Sequence, residues 1–276
     1  MNTTETALGR LGELAIEVPS WAYGNSGTRF KVFGTPGTPR TVHEKLADAA
    51  KVHELTGLAP TVALHIPWDK VDDYAALKEY AADLGVGLGT INSNTFQDDE
   101  YKFGSLTSSN PAVRRRAIDH HLECLEIMNA TGSRDLKIWL ADGTNYPGQD
   151  DMRGRQDRLA ESLQEIYAAL GEEQRLVLEY KFFEPAFYHT DVPDWGTSYA
   201  QTLALGEKSL CLPGHRPPRP RHQHRIHRHA AAAPGQARLL RLQLPLLRRR
   251  RPDRRRGGSL PALPDHARGH PRRRVR

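Results

Sequence analysis

What most constrains this chain is an alternation that fills residues 1–212: short apolar runs separated by longer amphipathic stretches. The runs at 14–18, 61–66, 86–91, 136–140, 176–180 and 209–212 have the length and the Val/Ile/Leu content of buried strands. The stretches between them carry helix punctuation. Thr41-Val-His-Glu44 has the form of a capping box, opening a helix that Gly57 ends. Asn110-Pro111 reads as an N-cap with proline in the first turn, and that helix runs to about Thr131 with Gly132 behind it. Residues 71–84, 153–170 and 197–205 supply further helices. Apolar strands alternating with helices imply a parallel sheet with covered faces, and right-handed crossovers make it either an open doubly wound sheet or a barrel. No Gly-x-Gly-x-x-Gly follows the first run, so a dinucleotide fold has no support. Polar and aromatic residues gather at the ends of several runs, as on the active face of a (β/α)8 barrel. With about six strands in place of eight, the expected fold is α/β, an incomplete TIM barrel over 14–212 behind an extension of residues 1–13.

Charge divides the chain at the same boundary. Residues 213–276 hold 19 of the 39 basic residues, all Arg, and two of the 33 acidic ones, leaving 20 bases against 31 acids in 1–212. The body is thus acidic, with net charge −11, and the pI of 9.4 belongs to the Arg/Pro/His-rich end. Two cysteines, Cys124 and Cys211, are too few for a disulfide framework or a zinc ribbon. No run approaches membrane-spanning length, and Met1-Asn-Thr-Thr-Glu-Thr lacks the basic and apolar parts of a signal peptide, so a cytoplasmic protein without membrane contact is expected.

Chemistry gathers where the strands run out. Arg175-Leu-Val-Leu-Glu179-Tyr-Lys181 ends an apolar run in a carboxylate, with an ammonium two positions on and on the same side of a strand. Such a pair can hold a hard divalent cation while the lysine grips a substrate oxygen, or it can be an ion pair capping the strand. His65-Ile-Pro-Trp68-Asp69-Lys70 offers an imidazole for a hydroxyl and an indole for the apolar face of a sugar ring, or a core histidine beside a packing tryptophan. Asn92-Ser-Asn94-Thr-Phe96 clusters short hydrogen-bonding side chains, as turn motifs also do. Trp139-Leu-Ala-Asp142-Gly-Thr-Asn145 adds an indole, a carboxylate and an amide, with Asp142-Gly143 readable as a turn. Phe182-Phe183-Glu184-Pro-Ala-Phe187-Tyr188 is an aromatic loop suited to a lid or a subunit contact. His120 and His121, within a helix and far from the strand ends, read as structural, and Arg114 to Arg116 as a solvated face.

Five segments together resemble bacterial L-rhamnose isomerases of the kind related to xylose isomerase. They are Trp21-Ala-Tyr-Gly-Asn-Ser-Gly-Thr-Arg-Phe30, Leu64-His-Ile-Pro-Trp-Asp-Lys70, Asn92-Ser-Asn-Thr-Phe96, Tyr101-Lys-Phe-Gly-Ser-Leu106 and Glu184-Pro-Ala-Phe-Tyr188. The resemblance implies a (β/α)8 barrel, a homotetramer, and two divalent metals, typically manganese (Mn2+), in an enzyme interconverting L-rhamnose and L-rhamnulose. It makes Glu179 a metal ligand, Lys181 the lysine near the reacting end of the sugar, and His65 a sugar-hydroxyl contact. It puts Trp21, Trp68 and Trp139 in the substrate pocket; the Asn145 amide past the end of the fourth run is a further candidate substrate contact, read from the residues themselves.

The family's remaining Asp and His ligands belong after residue 208, where this chain turns to Arg, Pro, His, Ala, Leu and Gly. That composition does not build barrel strands. A nucleic-acid-binding tail, nonspecific and salt-dependent, is one reading of residues 213–276, and a metal-binding His tract is another. A third is a barrel-coding stretch read out of frame. With suitable codons, Pro213-Gly-His-Arg-Pro-Pro-Arg-Pro-Arg-His-Gln-His-Arg225 shifted by one base reads Leu-Asp-Thr-Gly-His-His-Ala-Pro-Gly-Thr-Asn-Ile-Glu. The run from Arg248 to Asp253 likewise becomes Ala-Asp-Asp-Asp-Leu. On this reading 213–276 is poorly packed and the chain turns over little or no rhamnose. Nucleotide sequencing around codon 212 is expected to show that a single-base change restores an Asp- and His-bearing frame; finding no such change contradicts it.

Overall fold

A computed structural model describes residues 16–25, 34–146, 148–181 and 188–212. The tail at 213–276, the aromatic stretch 182–187, residues 14–15 of the first expected strand and residues 26–30 of the first motif lie outside the described residues. The strands are β1 (Glu17–Pro19), β2 (Thr61–Ile66), β3 (Gly87–Ser93), β4 (Asp135–Trp139), β5 (Gly143–Thr144), β6 (Arg175–Glu179), β7 (His189–Thr190) and β8 (Ser209–Leu212). The helices are α1 (Val42–Thr56), α2 (Tyr74–Asp83), α3 (Pro111–Thr131), α4 (Met152–Ala168) and α5 (Trp195–Leu205).

Six strands form one sheet in the order β1-β2-β3-β4-β6-β8, every pairing parallel. Strand order follows chain order without the reversal of a doubly wound sheet. Side-chain parity agrees. Val62, Leu64 and Ile66 of β2, Leu136 and Ile138 of β4, Leu176 and Leu178 of β6 and Cys211 of β8 share one buried cluster with Leu46, Leu77, Met128, Leu159 and Leu163 from α1 to α4, and Trp195 and Tyr199 of α5 pack against it. All five helices therefore cover one face, and the sheet is the curled, singly wound part of a TIM barrel. Val177, Leu210 and Leu212 form a separate buried cluster on the other face. Among the described residues, β1 and β8 are the sheet's edges.

The caps form largely as their residues dictate. Thr41 accepts the Glu44 N–H at 3.2 Å, but the Glu44 carboxylate turns to the Arg40 N–H at 2.6 Å and its guanidinium at 3.0 Å, so the box is not reciprocal. Gly57 and Gly132 end their helices at φ 69° and 75°, in the left-handed region that favours glycine. Asp73 and Asp194 are the actual N-caps of α2 and α5, which shifts those starts to 74 and 195 from the expected 71 and 197. The antiparallel pair β5–β7, two residues on each side, has no signal in the apolar pattern.

Behind the strand ends lies a buried anchor. Asp69 accepts from Lys45 Nζ at 2.6 Å, from the His65 N–H at 2.8 Å and from Ser20 Oγ, tying α1 and the turn after β1 to the end of β2. Removing one partner of a buried pair strands the other charge. Asp69→Ala is expected to cost about 3–5 kcal/mol in urea unfolding; a loss below about 1 kcal/mol would show that the anchor carries little.

Candidate active site

The sheet face turned away from the helices carries the polar chemistry. Register puts His65 beside Asn92, Asn92 beside Lys137, and Trp139 beside Glu179, a row across four neighbouring strands near their carboxyl ends. Trp21 enters from the 3-10 turn Ser20–Ala22 that follows β1. Its ring meets His65 edge-on, with centroids 5.1 Å apart, while Trp68 stacks on the same imidazole at 4.0 Å. Phe96 stands edge-on to Trp139 at 4.9 Å and to His65 at 5.8 Å. Lys181 Nζ lies 5.4 Å from the Trp139 ring centroid and donates to Tyr188 Oη. The structure thus gathers Trp21, His65, Trp68, Trp139, Glu179 and Lys181 at one end of the sheet.

Asn145 is placed differently. It follows β5, is exposed, and its N–H donates to Gln149 Oε1 at 2.7 Å. It sits on the rim of a cavity of about 550 Å3 that Tyr101, Lys102, Asp150 and Arg155 also line. Phe96 and Tyr188 line it too, so this cavity adjoins the ring cluster.

One open reading is resolved and one expectation is corrected. Asp142 is more than a turn residue: its buried carboxylate accepts from the N–H and hydroxyl of both Ser105 and Thr107, at 2.6 to 3.1 Å. Burial raises its pKa, and those four donors oppose the rise. His120 and His121 are not far from a strand end. His121 Nδ1 donates to the Ala117 carbonyl at 2.7 Å, leaving Nε2 to accept from Ser93 Oγ at 2.9 Å. His120 Nε2 accepts the Asn94 N–H at 3.1 Å. Together they brace the carboxyl end of β3 from α3.

Sequence reading missed Lys137. Its Nζ lies 3.1 Å from Glu179 Oε2, with both side chains buried, and 5.5 Å from the Trp21 ring centroid. The available signal was a lysine inside an apolar run, two positions before Trp139 and so on its face. This pairing bears on the implied metal. Among the described residues no three His, Cys, Asp or Glu side chains group as ligands, and the Glu179 carboxylate is engaged by an ammonium. The described residues do not fit a divalent ion, which takes about six donors.

Four buried polar atoms at these strand ends have no hydrogen-bond partner among the described residues: His65 Nδ1, Asn92 Oδ1, Thr95 Oγ1 and Trp139 Nε1. Buried polar groups are ordinarily satisfied, so such a concentration is what a polar ligand would complete. Burial, with Lys137, His120 and Lys45 nearby, pushes the His65 pKa down to about 3, so its imidazole is neutral at working pH. It can meet a hydroxyl but stores no proton for acid catalysis.

No protein-family model matches this sequence. It is 47% identical over 208 residues to a probable sugar isomerase of Rhizobium meliloti (strain 1021), and 42% identical over 208 residues to one of Mesorhizobium japonicum. Each match covers 74% of this chain and 48% of the relative, so the chain spans about half the length of the curated relatives it matches. In fold it is similar to D-allulose 3-epimerase from Methylomonas sp., at TM-score 0.52 and 13% identity, over 72% of this chain and 62% of that one. It is similar to D-psicose 3-epimerase from Clostridium cellulolyticum H10 at TM-score 0.52 and 14% identity, over 71% and 62%. At such identities the likeness speaks for the fold.

The depressed histidines predict an acid-sensitive fold. Burial also takes His121 down to about 3, against an unperturbed 6.5. Between those values the unfolded chain binds a proton that the folded one refuses, so their stabilising effect is complete above 6.5 and is lost as pH falls toward 3. Urea unfolding is expected to show stability falling by up to about 1.4 kcal/mol per pH unit for each histidine. His65→Gln should remove one of the two contributions. A stability that stays constant from about pH 6.5 down to about pH 4 would contradict the assignment.

Proposed function

We propose that this chain carries the sugar-binding portion of an aldose–ketose isomerase, with L-rhamnose and L-rhamnulose as the interconverted pair. The observation that carries the proposal is the four polar atoms at the strand ends without a partner among the described residues, two of them on His65 and Trp139, which pack with Trp21, Trp68 and Phe96. A monosaccharide presents both counterparts: hydroxyls for the polar atoms and C–H faces for the rings. The similarity to probable sugar isomerases supports the reaction class, and the quoted motifs support rhamnose.

In this reading Trp21, Trp68 and Trp139 pack on the sugar's apolar faces. The neutral His65 takes a hydroxyl at Nδ1, and Asn92 Oδ1 accepts from another. Lys181, held by Tyr188 over Trp139, presents its ammonium to the oxygen at the reacting end. Asn145, on the adjoining cavity, contacts the far end of a bound sugar. Isomerisation moves one hydrogen between C1 and C2 and one proton between their oxygens, with no external oxidant. The described residues do not assemble a metal cage, and Mn2+ ligation by Glu179 is assigned to a restored reading frame after residue 212. The homotetramer and the cytoplasmic location belong to the same proposal. The folds of the two 3-epimerases favour one second reading, a keto-sugar 3-epimerase, which product analysis separates from the first.

Ligand-observed NMR is expected to show L-rhamnose binding by the 276-residue chain, weakened at least about 10-fold by Trp139→Ala, with no turnover. The frame-restored chain with Mn2+ is expected to form L-rhamnulose. Turnover by the 276-residue chain, or no sugar binding by either form, would contradict the proposal.

A further inference from the structure

Glu179 and Lys137 lie on adjacent strands, both on the face turned from the helices, because Leu136, Ile138, Leu176 and Leu178 belong to the helix-packed cluster. Lys137 is level with Val177, and Glu179 is level with Trp139, so the lysine stem rises past one residue to reach the carboxylate at 3.1 Å. Its ammonium also faces the Trp21 ring at 5.5 Å, where the indole's negative face favours a cation. A carboxylate buried to 4% side-chain exposure needs a positive partner. A divalent ion would satisfy that need only with further donors, and the described residues do not group them. A lysine brings the charge without them.

We propose that Lys137 is the resident counter-ion of Glu179, supplying the positive charge that a bound cation would otherwise bring, and that the β4–β6 end of the sheet is held in shape by this pair without metal. Lys137 is then a positioning residue. It fixes the Glu179 carboxylate against β4 and steadies Trp21 above the row that contains His65. The inference is independent of which sugar binds, and it stands or falls separately from the proposed function because neither binding nor turnover enters its test.

The test is thermal unfolding of the full 276-residue chain and its variants, in EDTA and in millimolar Mn2+. The unsubstituted chain is expected to melt at the same temperature in both. Lys137→Met, which keeps the stem and removes the charge, should lower Tm by roughly 10 °C. Lys137→Arg should recover most of that loss. The double variant Lys137→Met/Glu179→Gln should also recover it, since the carboxylate charge is then removed as well, whereas a purely packing role for the stem predicts little loss in Lys137→Met to begin with. Should Lys137→Met fail to fold, a cooperative transition in the double variant supports the same conclusion and its absence overturns it. Loss of stability in EDTA by the unsubstituted chain, an unchanged Tm in Lys137→Met, or a double variant no more stable than the single one overturns the proposal.

Discussion

Burial of one face of the parallel sheet beneath the helices is the constraint on which the site depends. Leu64, Ile66, Ile91, Leu136, Ile138, Leu176 and Leu178 are fully buried on that face, and each contributes about 1.5–3 kcal/mol on leaving water. Because strand side chains alternate, fixing these positions fixes all the others. A register slip of one residue would bury Lys137 and Glu179 against the helices and turn Ile138 and Leu178 to the other face. The polar row is therefore held in place by the apolar one, and the binding surface takes its geometry from the core behind it.

Around the strand ends, charge is arranged to balance. Lys137 answers Glu179, Lys45 answers Asp69, and Arg155 answers Asp191 at 2.8 Å, each as a buried pair. The first lies within the candidate site. The second anchors the end of β2, and the third holds the loops after β4 and β6. Buried ion pairs add little net stability, but they penalise any arrangement that parts them, which suits a site needing fixed geometry. His65 is the counterexample: a buried imidazole kept neutral because burial, and after it the positive charges of Lys137, His120 and Lys45, disfavour its protonated form. A neutral ring stacked on Trp68 is a fixed hydrogen-bonding group with an open nitrogen.

Much of this was legible in the sequence, for a physical reason. Parallel strands covered by helices are apolar and short, and the helices between them are punctuated by Thr41, Asn110, Gly57 and Gly132, so element order and type could be read directly. The aromatic and charged residues at the strand ends were visible because they interrupt apolar runs. Lys137 escaped because a lone lysine inside a strand looks like a defect until its neighbour's register is known, and pairing with Glu179 depends on strands about 40 residues apart in the chain coming side by side. His120 and His121 escaped because helix phase against the sheet decides what an interior histidine touches. Asp142 looked like a turn residue because Asp-Gly is a turn signal; its four donors come from a loop more than 30 residues earlier. Long-range polar contacts leave no local pattern.

The central claim is that one sheet face presents a neutral His65 and its neighbours to a polyhydroxylated ligand. Nitrogen NMR of the His65 ring, in the chain with and without saturating L-rhamnose, tests it most directly. The expected result is an imidazole still neutral at about pH 5, whose Nδ1 resonance moves when the sugar is added. A ring already protonated at that pH, or an Nδ1 resonance indifferent to the sugar, would contradict it.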